Sequence, residues 1–221
     1  MDEKLKKTKE KKDKRRIILD VAEALFSEHG IDGVSIRKIT AAANVDLSLV
    51  NYYFGSKDKL FEEVLIRRVA EMSGERMLKL SSVDMSAPPE QVNSQILHNF
   101  VMPLIGQDIS ERIELENYRR LIALVSNSRR WQDLVFKSHY DPVAEEYIDA
   151  LWQTNNHLTR SDVCWAFSFF LGSLTNAIAK TGRIDRLSYG EALSSDLDCM
   201  VEKLISFTNA ALRGMPGNFG E

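Results

Sequence analysis

Two cysteines are all that 221 residues contain, and Cys164 and Cys199 stand 35 positions apart with no CxxC pair and no histidine companion. That spacing excludes a zinc ribbon and a disulfide framework, and it suits a reducing cytoplasm. Prolines number five and long β-branched runs are few, so helix meets little local opposition along the chain. No apolar run approaches the roughly 18 residues that a membrane span needs. The basic amino terminus leads into Ile17-Ile18-Leu19, which Asp20 cuts short, so no secretory hydrophobic segment is expected. Catalytic signatures are missing as well: there is no HExxH, no GxSxG, no glycine-rich phosphate loop and no acid pair in an apolar helical setting. His98, His139 and His157 are scattered. An enzyme is a poor fit, and neither cofactor nor metal is expected.

What remains is amphipathic and unevenly charged. The chain is 44% apolar, enough for a substantial core, and 28% charged with a net charge of −3. Residues 1–60 hold 13 Lys/Arg against 10 Asp/Glu, whereas residues 61–221 hold 16 against 22. Phosphate binding needs a local basic footprint rather than a basic protein, and a basic head before an acidic body meets that need. The run MDEKLKKTKEKKDKRR at residues 1–16 supplies nine of those cations. It reads as a solvated tail, compatible with nonspecific phosphate or minor-groove contacts.

The most informative stretch runs from Val34 to Lys59, VSIRKITAAANVDLSLVNYYFGSKDK. Ser35 can cap a first short helix, along which Ile36, Ile39 and Ala43 recur at helical spacing. Asn44 tolerates the left-handed conformation of a sharp stop. Asp46 opens a second helix whose Val50 and Phe54 point inward, while Leu47, Ser48, Asn51, Tyr52 and Tyr53 stay outward. This is a helix-turn-helix pattern, and the second helix is the one that should enter a DNA major groove. An ordinary helical hairpin with a solvated face is the alternative. Against it stand two outward tyrosines and leucines on a polar face, capped starts at Ser35 and Ser56 that offer backbone N–H groups to phosphate, and Arg37, Lys38 and Lys57 beside those starts.

Asn51-Tyr52-Tyr53-Phe54-Gly55-Ser56-Lys57, about twenty residues after Gly33-Val34-Ser35-Ile36-Arg37, resembles the signature of the TetR family of bacterial transcription regulators. The resemblance covers roughly Arg16 to Val69. It implies an all-α fold with a three-helix helix-turn-helix head, joined by a long fourth helix to a helical ligand-binding and dimerisation domain. Expected boundaries are a basic flexible tail at 1–14, the head at 15–57, the helical domain at 58–214 and a frayed end at 215–221. Arg37, Lys38, Lys57 and the N–H groups after Ser35 and Ser56 suit phosphate contacts, Tyr52 and Tyr53 phosphate and sugar, and Leu47, Ser48, Leu49 and Asn51 base edges. Positions matching Leu47 and Leu49 are often polar readers in the family, so their apolar character leaves few directional contacts.

Beyond the head, periodicity predicts a first helix from about Lys14 to His29, a fourth from Ser56 to about Leu80, and a fifth after Pro88-Pro89. A sixth is expected from Ser110, a seventh from Arg129 to Asn155 bent at Pro142, an eighth from Thr159 to Gly182, and a ninth from Tyr189 to Arg213. The last two carry excess apolar surface and resemble the paired dimerisation helices of TetR regulators; a larger single core is the other reading. Helices five to eight supply apolar walls for a cavity at Phe100, Leu104, Tyr118, Leu121, Ile122, Trp131, Phe170 and Leu174, with Arg119 or His139 as polar anchor. The segments RRLIALVSNSRR at 119–130 and WAFSFFLG at 165–172 resemble the fatty-acid-responsive (PsrA-type) branch.

Together these readings predict a cytoplasmic, nucleoid-associated homodimer. As a repressor it binds a palindromic operator on double-stranded DNA and is released by a small lipophilic effector, with a fatty acid or acyl-CoA ahead of an aromatic compound. No membrane partner is expected. The alternative is a constitutive DNA-binding protein of the same fold, serving chromosome organisation or division control.

Overall fold

The computed structural model describes residues 2–216, with side chains from Asp13 onward. The roles expected for the basic side chains of residues 1–12 and the frayed end at 217–221 lie outside the described residues. Among the described residues all regular structure is helical. Helix α1 spans Asp2–His29, beginning well before the expected Lys14. The reason is local: lysine, glutamate and arginine lose little freedom in a helix, and neither glycine nor proline interrupts the run. Its buried stripe is Ile18, Ala22 and Phe26. Past Gly30 the chain reverses so tightly that a β-carbon on Gly33 would lie 2.3 Å from the His29 carbonyl oxygen.

Helices α2 (Ile36–Ala43) and α3 (Leu47–Phe54) follow. Ser35 caps α2 by accepting from the Lys38 N–H, and Asn44 adopts φ +52° at its end. Asp46 occupies the cap position of α3 but its side chain makes no capping bond, a departure from expectation. Val50 and Phe54 bury inward with Ile39.

The expected single fourth helix is two. Helix α4 (Lys57–Ile66) and α5 (Val69–Ser81) meet at Arg67-Arg68. No glycine or proline marks the break. What holds it are tertiary ion pairs: Glu23 of α1, almost fully buried, accepts from Arg67 at 2.7 and 3.2 Å. Arg67 also reaches Asp20 at 2.7 Å. Arg68 Nε lies 3.5 Å from Glu23, a charge contact, and its Nη1 donates to Glu114 at 3.0 Å. Burial alone would push the Arg68 guanidinium down, but Glu23 and Glu114 outweigh it and hold it raised.

The body comprises α6 (Pro89–Ile105), α7 (Ile109–Glu114) and α8 (Glu116–Val125), then α9 (Arg129–Trp131), a π turn at Gln132–Phe136 and α10 (Lys137–His139). It closes with α11 (Asp141–Thr154), α12 (Arg160–Ile178), α13 (Arg183–Leu187) and α14 (Leu197–Gly214). Pro142 bends no continuous helix; it sits in the first turn of α11, where its missing N–H costs nothing. The last helix starts at Leu197 rather than Tyr189, because Tyr189 and Gly190 adopt positive φ and the Asp196 side chain caps the helix from the Cys199 N–H. Helix α1 packs on α2, α4 and α8, α5 on α6, and α12 on α8, α11 and α14. One core of buried residues runs from Ile18 to Leu212.

Removing the buried carboxylate should expose how much this joint matters. Glu23→Ala leaves two guanidinium groups without their shared acceptor, and a loss of about 3 kcal/mol in urea unfolding is expected. A loss within 0.5 kcal/mol, the size of ordinary surface changes, would show that the ion pairs do not hold the joint.

Candidate nucleic-acid interface and interior cavity

Along α3 the exposed positions are Leu47, Ser48, Asn51 and Tyr52, one stripe at i, i+1, i+4, i+5. Leu49 and Tyr53 are half-buried and pack against the core, so Leu49 flanks the outward stripe instead of belonging to it. Tyr52 and Tyr53 meet edge-on at 5.3 Å. From α1, Arg15 lies over the Phe54 ring and pairs with Glu63, which ties the end of α3 to α1 and α4. Ser35 and Ser56 cap α2 and α4 at 3.2 Å from the Lys38 and Lys59 N–H groups. Arg37 and Lys38 are exposed.

Lys57 has partners within the protein as well. Its ammonium donates to the carbonyls of Ile31 (2.9 Å) and Val34 (3.1 Å), so in the free protein it braces the turn before α2 against the start of α4. An ammonium has three donors; a phosphate contact is left with the third.

The body holds a cavity of about 370 Å³ that opens to solvent on one side. Helix α5 supplies Met72 and Arg76, α6 supplies Phe100 and Leu104, and α8 supplies Tyr118 and Ile122. The π turn contributes Gln132 and Phe136, while Leu171, Leu174 and Thr175 come from α12. Five of the expected wall residues are here: Phe100, Leu104, Tyr118, Ile122 and Leu174. The others serve elsewhere. Phe170 stands behind Phe100, ring centroids 5.9 Å apart, and Leu121 is fully buried in the core without lining the cavity. Trp131 packs on Phe61 of α4 at 4.5 Å, joining body to head.

Neither expected anchor lines this cavity. Arg119 is buried as a cap on the end of α6, donating to the carbonyls of Leu104 and Ile105 at 3.3 and 2.9 Å, and it also reaches Arg112 O and Glu116. His139 is half-buried off the lining. The cation on the wall is Arg76, buried with its guanidinium 4.1 Å from the Phe100 ring centroid and its Nε donating to the Phe100 carbonyl at 2.8 Å. Burial lowers its pKa from the usual arginine value. The signal was present in the sequence: a charged residue four after Met72 interrupts an otherwise apolar stripe.

Two phenols link this wall to the head. The Tyr118 and Tyr140 hydroxyls are 2.6 Å apart, and both point at the Leu65 carbonyl near the end of α4, at 3.2 and 3.4 Å. Burial pushes Tyr118 up to about 12 and Tyr140 well above its ordinary value, so both remain neutral hydrogen-bonding groups. Among the described residues no cluster of three His, Cys, Asp or Glu could hold a metal, and no helix is long and apolar enough to cross a membrane.

A helix-turn-helix head with an exposed reading face, carried on an all-helical body with an interior cavity, defines a DNA-binding transcriptional regulator. More narrowly, the chain belongs to the TetR family: residues 18–64 match "Bacterial regulatory proteins, tetR family" and residues 98–211 match "Tetracyclin repressor-like, C-terminal domain". It is 25% identical over 142 residues to the HTH-type transcriptional regulator BetI of Vibrio vulnificus, covering 56% of this chain and 71% of that protein. It is 36% identical over 81 residues to the HTH-type transcriptional repressor NicS of Pseudomonas putida, 36% of each chain. A putative tetR family transcription regulator from Shewanella sp. PV-4 superposes with a TM-score of 0.64 at 16% identity, covering 90% of this chain and 97% of that one. AibR, solved in complex with isovaleryl coenzyme A and operator DNA, superposes with a TM-score of 0.57 at 17% identity over 88% of this chain and 97% of its own. Regulators of this family bind operator DNA and dimerise, with ligand binding in some; they are not enzymes.

The two cationic tasks separate by substitution. Lys57→Ala is expected to cost about 1–3 kcal/mol of stability in urea unfolding, because two bonds from a charged donor are lost. Arg37→Ala should leave stability within 0.5 kcal/mol and lower the salt slope of DNA binding by about one unit. An unchanged stability for Lys57→Ala would remove the bracing role.

Proposed function

We propose that the chain is a homodimeric repressor in the bacterial cytoplasm that binds a palindromic operator and releases it when a small lipophilic effector enters the cavity. The observation that carries this reading is the continuity from cavity to head: the hydroxyls of wall residues Tyr118 and Tyr140 meet at the carbonyl of Leu65 in α4, and only two residues, Gly55 and Ser56, separate α4 from the end of α3. An effector acts only through a difference in affinity between two conformations. The α4–α5 joint is the element that two conformations would use, since it lies between cavity and head and is held by exchangeable ion pairs.

On DNA, Leu47 supplies apolar contact for a thymine methyl, Asn51 a bidentate partner for adenine, and Ser48 a permissive one. Tyr52, Tyr53, Arg37, Lys38, the capped starts at Ser35 and Ser56, and the third N–H of Lys57 hold phosphate and sugar. The dimer surface is supported by exposed apolar side chains on α12 and α14. Trp165 and Phe169 are each 59% exposed, with ring centroids 5.7 Å apart and planes tilted by 32°, and Phe207 is 65% exposed. A C2 pairing of these faces would set two reading helices about 34–36 Å apart.

Selection of DNA from a random pool should return a palindrome. Asn51→Ala should then relax preference at one or two base pairs per half-site, worth roughly 1–3 kcal/mol each. Titration of the protein–operator complex with lipophilic acids, amides and aromatic compounds should find a releasing compound. If the selected DNA has no dyad, or no compound alters operator affinity, a binder without an effector takes the place of the switch.

Assembly has its own measurement. Sedimentation at micromolar concentration should give a dimer, and Phe169→Glu, which would bury an unpaired charge in the seam, should give a folded monomer. A monomeric wild-type protein ends the dimer claim.

A further inference from the structure

Arg76 differs in its surroundings from the other buried guanidinium groups among the described residues. Among the described residues the other buried or half-buried guanidinium groups of the body and joint each have a carboxylate partner: Arg119 has Glu116 as well as three backbone carbonyls, Arg67 has Glu23, and Arg68 has Glu114 and Glu23. Arg76 is 7% exposed and has one carbonyl at its Nε and one aromatic face. Its sequence neighbour Glu75 is turned to Lys79 at 3.1 Å, and among the described residues no carboxylate forms an ion pair with Arg76. Its two terminal nitrogens donate no hydrogen bond to any described residue, and neither is sealed from solvent-sized space. Arg76 is one of the residues that line the cavity. An unpaired buried cation is expensive, and the contact with Phe100 offsets only part of that cost.

The remainder of the wall fits one kind of molecule. Tyr140 brings a neutral hydroxyl to the same wall; its single proton faces Tyr118 or the Leu65 carbonyl in the free protein, and an anion would compete for it. Phe100, Phe136, Leu104, Ile122 and Leu174 line an apolar body. Asp141, an acid on the lining, is exposed and screened by water. At about 370 Å³, the space lies at the small end of the roughly 300–1,000 Å³ that small-molecule sites span, which favours a compact ligand. A coenzyme A thioester, with its nucleotide, exceeds a site of this size.

We infer that the cavity binds a compact apolar monocarboxylate whose charged group pairs with the terminal nitrogens of Arg76 and accepts from the Tyr140 hydroxyl. This rests on the effector-responsive reading above and deepens it. The carboxylate contributes a bidentate partner that the protein itself does not provide. Because Tyr140 also lies against the Leu65 carbonyl, binding draws on the contact that joins the wall to α4.

The test is calorimetric titration of the full chain, without DNA, against octanoate and phenylacetate and their uncharged amides. At least one acid should bind, with its amide roughly 10- to 100-fold weaker, the range expected for a charge-assisted hydrogen bond. Arg76→Met should abolish the preference for acid over amide, and Arg76→Lys should keep part of it. Palmitate and octanoyl-coenzyme A should bind more weakly than octanoate. Amides binding as well as acids, or neither acid binding, overturns the inference; the acid–amide comparison decides on wild-type protein even if Arg76→Met does not fold. Palmitate or the thioester binding more tightly than octanoate overturns the size assignment. A compound that releases operator while ignoring Arg76 leaves the regulator reading standing without this one. An acid that binds through Arg76 without altering operator affinity does the reverse.

Discussion

Glu23 is where the molecule is tied together. A carboxylate this deeply buried must be paired, and its partners are the two arginines at which the α4–α5 run breaks. The same contact therefore does three things. It satisfies a buried charge, it fixes where α1 of the head lies against the body, and it holds open a gap in the helical ladder. The carbonyl of Leu65 stands just before that gap, and phenols from the body reach it. At this joint a charge contact and a hydroxyl contact thus stand side by side.

That arrangement shapes what a cavity ligand can do. Interiors are close-packed and transmit small displacements, whereas surface loops absorb them. The cavity wall here is continuous with packed structure: Trp131 sits on Phe61, which meets Phe26 edge-on at 4.9 Å in the middle of the head. The π turn at 132–136, which supplies Gln132 and Phe136 to the wall, follows directly on Trp131. A change at the wall has a route of contiguous side chains to α4 as well as the phenol contact. Which of the two carries more coupling is an energetic question, and double-mutant cycles measure it.

Features set by local backbone chemistry were legible in the sequence, and features set by distant partners were not. Ser35, Asn44, Ser56 and Gly30 behave as their residue types predict, because caps and left-handed stops depend on a few neighbouring atoms. Apolar periodicity on α6, α8 and α12 is likewise local, and five of the residues it singles out, Phe100, Leu104, Tyr118, Ile122 and Leu174, line the cavity. The break at Arg67-Arg68 left no local mark, since its cause is a carboxylate 44 residues away. Trp131 has the profile of a cavity aromatic, yet the nearest ring is Phe61 on another helix. Lys57 read as a phosphate contact because its charge was visible and the carbonyls of Ile31 and Val34 were not.

Arg76 and Arg119 carry the same chemistry to different ends. Both guanidinium groups are buried in the body, and neither position follows from hydropathy. Arg119 meets the carboxy-terminal carbonyls of α6, groups that a helix leaves without partners, so two unsatisfied sets cancel and the result is a rigid end to α6. No helix terminus reaches Arg76. It rests on the π face of Phe100, a residue that also lines the cavity and touches Tyr147 and Phe167 edge-on at 5.0 and 5.1 Å. The Tyr147 hydroxyl, donating to the Arg76 carbonyl at 2.8 Å, fixes the backbone beneath it. The surroundings thus constrain where this side chain lies while leaving its charge unmatched. Proteins discard such costs readily by substitution unless something is gained. An anion that enters from outside recovers the cost on binding, and by mass action it stabilises the state that binds it. In a regulator, that recovered free energy is what becomes available to move α4.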